Sequence, residues 1–165
     1  MDDGRSHRIV LVAHCLLNAN AQAEGLARYA GVHAIIGELA GRGYSIVQLP
    51  CPEMAHVGCA RQPFGPQVRE SAEYRDLCVR LADRVADDVE QYLRCNVKTV
   101  AMVGLEGSQT CAITRSCFGD AEGCDSPGMF VEELHKRIDA HGVHFLGISH
   151  REPEDNIPEV VAHLR

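Results

Sequence analysis

Four short apolar runs, separated by segments with helical spacing, constrain this chain more than any other feature. Residues 8–13 (RIVLVA), 44–49 (YSIVQL), 97–103 (VKTVAMV) and 143–148 (VHFLGI) read as strands. The first is apolar almost throughout, the pattern of a strand covered on both faces. Between the first two, Val32, Ile35, Ile36 and Leu39 recur by threes and fours in a helix over about 31–40, stopped by Gly41 and Gly43. A longer helix is expected from Ser71, a good N-cap, to about Cys95. Its stripe is Tyr74, Leu77, Cys78, Leu81, Val85, Val89, Tyr92 and Leu93, and Asn96 suits the left-handed position past its end. Ser126-Pro127 reads as the cap and first residue of a third helix with Phe130, Val131, Leu134 and Ile138 on its apolar face and Gly142 at its end. A short helical tail is expected near 158–164.

Strict alternation of strand and helix predicts an α/β fold: a three-layer sandwich around a mostly parallel, flavodoxin- or Rossmann-like central sheet with right-handed crossovers. At 165 residues the chain is read as one domain, 1–165, long enough to build a core without disulfide staples. Residues 16–30, 54–70 and 105–126 read as long loops, rich in Gly, Pro, Asn and Gln.

Charge narrows the partners. The formal balance is −7, from 16 Lys plus Arg against 23 Asp plus Glu, and the basic residues are scattered. Duplex nucleic acid, gripped through many phosphates, is disfavoured; a small anion held by one or two arginines is not. No apolar stretch approaches the ~20 residues of a membrane span, and MDDGRSHR leads into the first strand with no signal-like region. The chain is therefore read as cytoplasmic, without a membrane partner, its eight cysteines reduced.

In a parallel sheet all strand C-termini lie on one edge, and open α/β sheets keep their sites there. Cys15, Cys51 and Cys111 each stand just beyond a strand end, so three thiolates can converge. Such a set suits zinc, with His14 or His56 as fourth ligand, or an iron–sulfur cluster that accepts three cysteines. Paired CxxC spacings that would mark either are absent. Free cysteine is also a common core residue, the better reading for Cys78 and Cys95. Cys117 and Cys124 form, with Cys111, an alternative local ligand set, and Cys59 stands alone in a loop.

Glu53, two residues past Cys51 in a proline-constrained turn, suits a general base, or is a solvated surface carboxylate. Ser108 is placed to orient a substrate or pass a proton, or to stabilise a turn. Gly104 and Gly107 are read as the pair that turns the chain after the third strand, and residues 104–110 lack the Gly-Lys-Ser/Thr ending of a P-loop. Nucleoside triphosphatase chemistry is thereby disfavoured.

Taken together and in order, HCLLN (14–18), GLARYAG (25–31), QLPCPEM (48–54), GLEGSQTC (104–111) and GMFVEEL (128–134) resemble the TudS (DUF523) thiouracil desulfidases, in particular their short stand-alone branch. The resemblance implies a [4Fe-4S] cluster held by Cys15, Cys51 and Cys111, with one iron not bound by protein, and Glu53 and Ser108 as catalytic residues. It further implies that sulfur is removed from a small thiolated nucleobase or nucleotide, of the thiouracil or 4-thiouridine monophosphate class, C=S becoming C=O by non-redox Lewis-acid catalysis with release of hydrosulfide. A phosphate would meet one of Arg28, Arg61, Arg115 or Arg151, and the protein would be a monomer or homodimer. The family's SPSCG stands here as Ser108-Gln109-Thr110-Cys111-Ala112, a departure that bears on the loop path and on substrate preference. Zinc hydrolysis with the same three cysteines, and a non-catalytic iron–sulfur or redox-sensing module, are the competing readings.

Overall fold

A computed structural model describes residues 3–117, 124–152 and 154–164. Among these residues four strands, β1 (Arg8–Val12), β2 (Ser45–Gln48), β3 (Lys98–Leu105) and β4 (His144–Ile148), form one sheet of order β2-β1-β3-β4, and every pairing is parallel. The α/β expectation is met. β1 is buried from Ile9 to Val12, as its unbroken apolar run requires.

Among the described residues, six α-helices connect and flank the strands: α1 (His14–Leu17), α2 (Ile35–Gly41), α3 (Pro52–Val57), α4 (Ala72–Arg94), α5 (Met129–Ile138) and α6 (Ile157–Ala162). The long α4 packs against α5, whereas α2 packs against β2 and against α6, which also covers β4. With strand order β2-β1-β3-β4, the right-handed rule for parallel crossovers puts these two pairs on opposite faces of the sheet. Tyr74, Cys78, Ala82, Val85 and Val89 are the buried line of α4, and Met129, Phe130, Val131, Leu134 and Ile138 are buried on α5. At roughly 1.5–3 kcal/mol for each large apolar side chain fully buried, Phe130, Leu134 and Ile138 outweigh the Arg137–Asp83 ion pair at the same seam. An exposed pair of that kind contributes at most about 1 kcal/mol.

Local signals place some boundaries correctly. Ser71 accepts the Tyr74 N–H as N-cap of α4, and Asn96 sits at φ 58° after its end. Others shift. α2 begins at Ile35, which leaves Val32 exposed rather than on the apolar stripe. The loops at 16–30 and 54–70 begin on the last residues of α1 and α3, and they contain two short 3-10 segments, Ala19–Ala21 and Pro66–Glu70. Pro52 occupies the first turn of α3 with Cys51 as its N-cap, so the prolines around Cys51 open a helix as well as ending a strand.

The start of α5 is the instructive departure. Its cap is Gly128, not Ser126, and no side chain caps it. The Gln109 carbonyl accepts the Met129 N–H at 2.9 Å, and the Thr110 carbonyl accepts those of Phe130 and Val131 at 3.1 and 3.3 Å. A Cβ at position 128 would collide with the Thr110 carbonyl, so only glycine allows this close approach. The loop after β3 thus caps α5 in place of a local side chain.

Candidate functional site

The chain leaves β1 toward β2 on one side and returns across it to β3 on the other, so a crevice opens beyond the C-terminal ends of β1 and β3. Cys15 lies in the first turn of α1 directly after β1, Cys51 caps α3 after β2, and Cys111 ends the loop after β3. All three line one cavity of about 300 Å³, together with His14, Glu53, Ser108, Gln109 and Thr110. Leu26, Pro63, Phe64 and Leu105 supply apolar wall.

Burial pushes the Cys15 thiol up to about 12, and the neighbouring Cys51 and Glu53 push in the same direction. Burial also raises Cys111 well above the ordinary thiol range, with Cys51 and Cys15 adding to the effect. Cys51 is raised by burial too, partly offset by the Met54 N–H that its sulfur accepts at 3.5 Å. Cys51 thus bears on Cys15, and both bear on Cys111, so the three thiols share one neighbourhood, and the thiolate form of each calls for a cationic partner.

Gly104 is not part of the turn. It is a strand residue at which the returning Cys111 carbonyl comes so close that any Cβ would collide with it, and Leu105 N–H donates to that carbonyl at 3.2 Å. Gly107, at φ 85°, makes the turn itself. Ser108 Oγ then accepts the N–H groups of Thr110 at 3.2 Å and Cys111 at 3.0 Å. Its turn-stabilising role is therefore present in the geometry, and it fixes the backbone that carries Cys111.

Glu53 is not a solvated surface group. Its Oε2 accepts from Arg61 Nε at 3.0 Å and its Oε1 from Thr110 Oγ1 at 2.7 Å, with side-chain exposures of 13% for Glu53 and 5% for Arg61. Arg61 Nη2 also donates to the Ala21 carbonyl at 2.7 Å and lies 3.9 Å from Cys51 Sγ, while Nη1 donates to the Gly58 carbonyl. Of the arginines considered for a phosphate, Arg61 is thus committed to the Glu53 carboxylate and three further acceptors. Thr110 and Tyr74, whose hydroxyls are 2.7 Å apart, complete a chain that local sequence does not reveal. Its one signal is the Thr110 departure within the cysteine loop, and the partners are remote in sequence.

The remaining candidates separate. His14 lines the cavity with Nδ1 3.2 Å from the Leu49 carbonyl, whereas His56 packs at an angle against Tyr74 and edge-on to Phe64. Cys78 is fully buried in the core, as expected; Cys95 is exposed at the end of α4, against expectation, because the apolar stripe closes before the C-cap. Cys117 and Cys124 form a disulfide, so the expectation that all eight cysteines are thiols does not hold, and the alternative set with Cys111 lacks two of its thiolates here. Cys117 nonetheless reaches the cavity wall, as does buried His150, a site-lining residue outside the sequence-based set. Among the described residues no three His, Cys, Asp or Glu side chains gather as tightly as one metal ion needs.

Among the described residues no helix is long and apolar enough to cross a membrane. No family model matches the chain. Across 161 residues, 97% of this chain and 96% of the other, it is 28% identical to the uncharacterized protein MJ0003 of Methanocaldococcus jannaschii. A solved [4Fe-4S]-dependent thiouracil desulfidase, TudS, superposes with a TM-score of 0.56 over 95% of this chain and 97% of that one, at 18% sequence identity. The chain shares the fold of that structure.

Proposed function

We propose that this protein is a TudS-type desulfidase that carries a [4Fe-4S] cluster on Cys15, Cys51 and Cys111 and removes sulfur from a small thiolated nucleobase or nucleotide. The observation that carries the reading is the meeting of the three strand-end cysteines with the Glu53 carboxylate around one cavity. The donor set fits the group: three soft ligands, on loops from three strand ends, with Arg61 beside Cys51 to offset negative charge.

When bound, the cluster supplies a Lewis-acidic iron without a protein ligand, able to polarise a thiocarbonyl. The chain's own residues supply the rest. Thr110 and Arg61 hold the two carboxylate oxygens of Glu53, each of which retains a lone pair to accept a proton from water. That water's oxygen forms the new C=O bond as the C–S bond breaks, and the net change is thiocarbonyl plus water to carbonyl plus hydrogen sulfide. Ser108, whose oxygen already holds the N–H groups of Thr110 and Cys111, keeps its own O–H to donate toward the ring or the departing sulfur. Leu26, Phe64 and Leu105 limit bulk water around the reacting carbon.

The test is anaerobic purification, counts of iron, acid-labile sulfide and zinc, and assay of sulfide release from 2- and 4-thiouracil and their nucleotides. Iron and sulfide in the ratio of a [4Fe-4S] cluster, with turnover, support the reading. A colourless zinc protein, or a cluster with no turnover on any thiolated pyrimidine, sinks it.

A further inference from the structure

The Cys117–Cys124 disulfide takes no part in the function proposed above, yet one of its cysteines stands in the wall of the same cavity. Cys117 lines the space shared by Cys15, Cys51, Cys111 and Glu53. It also lines a neighbouring cavity of about 250 Å³, together with Glu106, Arg115, Ser149 and Arg151. Gly107 and His150 are common to both walls, so Cys117 stands where the two cavities meet. Its partner differs: Cys124 is 1% exposed and lines neither. A nucleophile in the cavity therefore meets the disulfide at Cys117. The segment ends are also joined without the disulfide, because the Ser116 N–H donates to the Cys124 carbonyl at 2.9 Å.

The desulfidase reading supplies such a nucleophile, hydrosulfide, inside that cavity. We propose that the Cys117–Cys124 disulfide captures the released sulfur, hydrosulfide attacking Cys117 Sγ to give a persulfide on Cys117 and a thiol on Cys124. This rests on the desulfidase reading and adds a second activity, sulfur capture, to the same cavity. In the step a bond forms between the hydrosulfide sulfur and Cys117 Sγ, and the bond between Cys117 and Cys124 breaks. Its electron pair leaves with Cys124 Sγ, which takes up the hydrosulfide proton. The disulfide is the two-electron oxidant, the captured sulfur is oxidised to the persulfide level, and no further reagent enters. Burial favours Cys124 leaving as a neutral thiol, and the negative charge stays on the persulfide. The free thiols cannot do the same. Hydrosulfide and a thiol are both fully reduced, so a persulfide forms from them only with an added oxidant. Among the described residues Cys117–Cys124 is the one disulfide.

The test uses the cluster-loaded chain under anaerobic conditions, in two arms. Sodium sulfide is added in the first, without turnover, and 4-thiouracil carrying a heavy sulfur isotope in the second. Both samples are then alkylated, digested and read by tandem mass spectrometry. The expected result is uptake of one sulfur per chain, seen as an alkylated persulfide on Cys117 beside an alkylated thiol on Cys124, with the heavy isotope at Cys117 in the second arm. Wild type reduced beforehand and freed of reductant, and Cys124→Ser, should take up none, since neither holds the disulfide; the first of these needs no substitution. A disulfide that stays intact in sulfide, a persulfide on Cys124 instead, or uptake that persists after reduction overturns the capture and leaves the desulfidase reading standing. Heavy sulfide that appears in solution while Cys117 stays unlabelled does the same. Uptake from sodium sulfide with no sulfur removed from any thiolated pyrimidine overturns the desulfidase reading, and with it the source of the captured sulfur.

Discussion

Thr110 Oγ1 stands 2.7 Å from Glu53 Oε1 and the same distance from the hydroxyl of Tyr74, which joins a core residue of α4 to the candidate general base. A hydroxyl can donate once and accept twice, so Thr110 donates to the carboxylate while accepting from tyrosine. Thr110→Val keeps the shape and removes the bridge. Tyr74, with no exposed surface, is left with an unpaired O–H, at about 1–3 kcal/mol. For a chain of this size that is a fall of roughly 2–10 °C in Tm, and adding Tyr74→Phe should restore most of it. Thermal melts of the single and double variants read this directly, and an unchanged Tm in Thr110→Val removes the bridge from the account.

Glu53→Gln should separate chemistry from cluster binding. Proton transfer by a positioned base contributes typically about 10²- to 10⁴-fold, so sulfide release should fall by about that range while iron content stays at the wild-type level. Arg61 loses its charge partner while staying buried, so stability should fall too, by about 3 kcal/mol for a pair this enclosed. Arg61→Met added to Glu53→Gln should regain part of that stability and none of the activity. Wild-type turnover in Glu53→Gln ends the general-base role.

The sheet and its crevice are legible in the sequence because their signals are local: continuous apolar runs for β1 and β3, and a cysteine after each of three strands. The departures arise where tertiary contacts decide. Ser126 resembles a cap, yet the carbonyls of Gln109 and Thr110 reach α5 first, a contact only Gly128 permits. Glu53 suits the surface equally well until Arg61, eight residues on, and Thr110, from another strand end, close over it. Val32 and Cys95 carry the right residue type for a buried stripe but lie just outside the turns that meet the sheet.

The ligand set is tested one cysteine at a time. Cys15→Ser, Cys51→Ser and Cys111→Ser should each lose most of the bound iron, since serine replaces a soft thiolate with a hard, protonated oxygen. Cys117→Ser and Cys124→Ser should keep it, because these two sulfurs bond to each other. Iron counts after anaerobic reconstitution check the set, and full iron in any of the first three variants refutes that ligand.

Cys78 provides a pH test away from the site. Burial among the α4 core raises its thiol to about 12, so the folded protein favours the protonated form more strongly than the unfolded chain does, where a thiol ionises near the ordinary 9. The sign follows from linkage. Stability from this preference is fully present below pH 9 and is lost as pH rises from about 9 toward 12, because the unfolded chain releases the proton first. Denaturant melts at about pH 8 and about pH 10.5, on either side of the onset, should therefore show a smaller alkaline loss for Cys78→Ala than for the wild type, although the variant is less stable at both. Alkylation gives the matching kinetic result: at neutral pH exposed Cys59 and Cys95 should react quickly, whereas Cys78 should react only as fast as the protein unfolds. Rapid labelling of Cys78 in the native protein contradicts its place in the core.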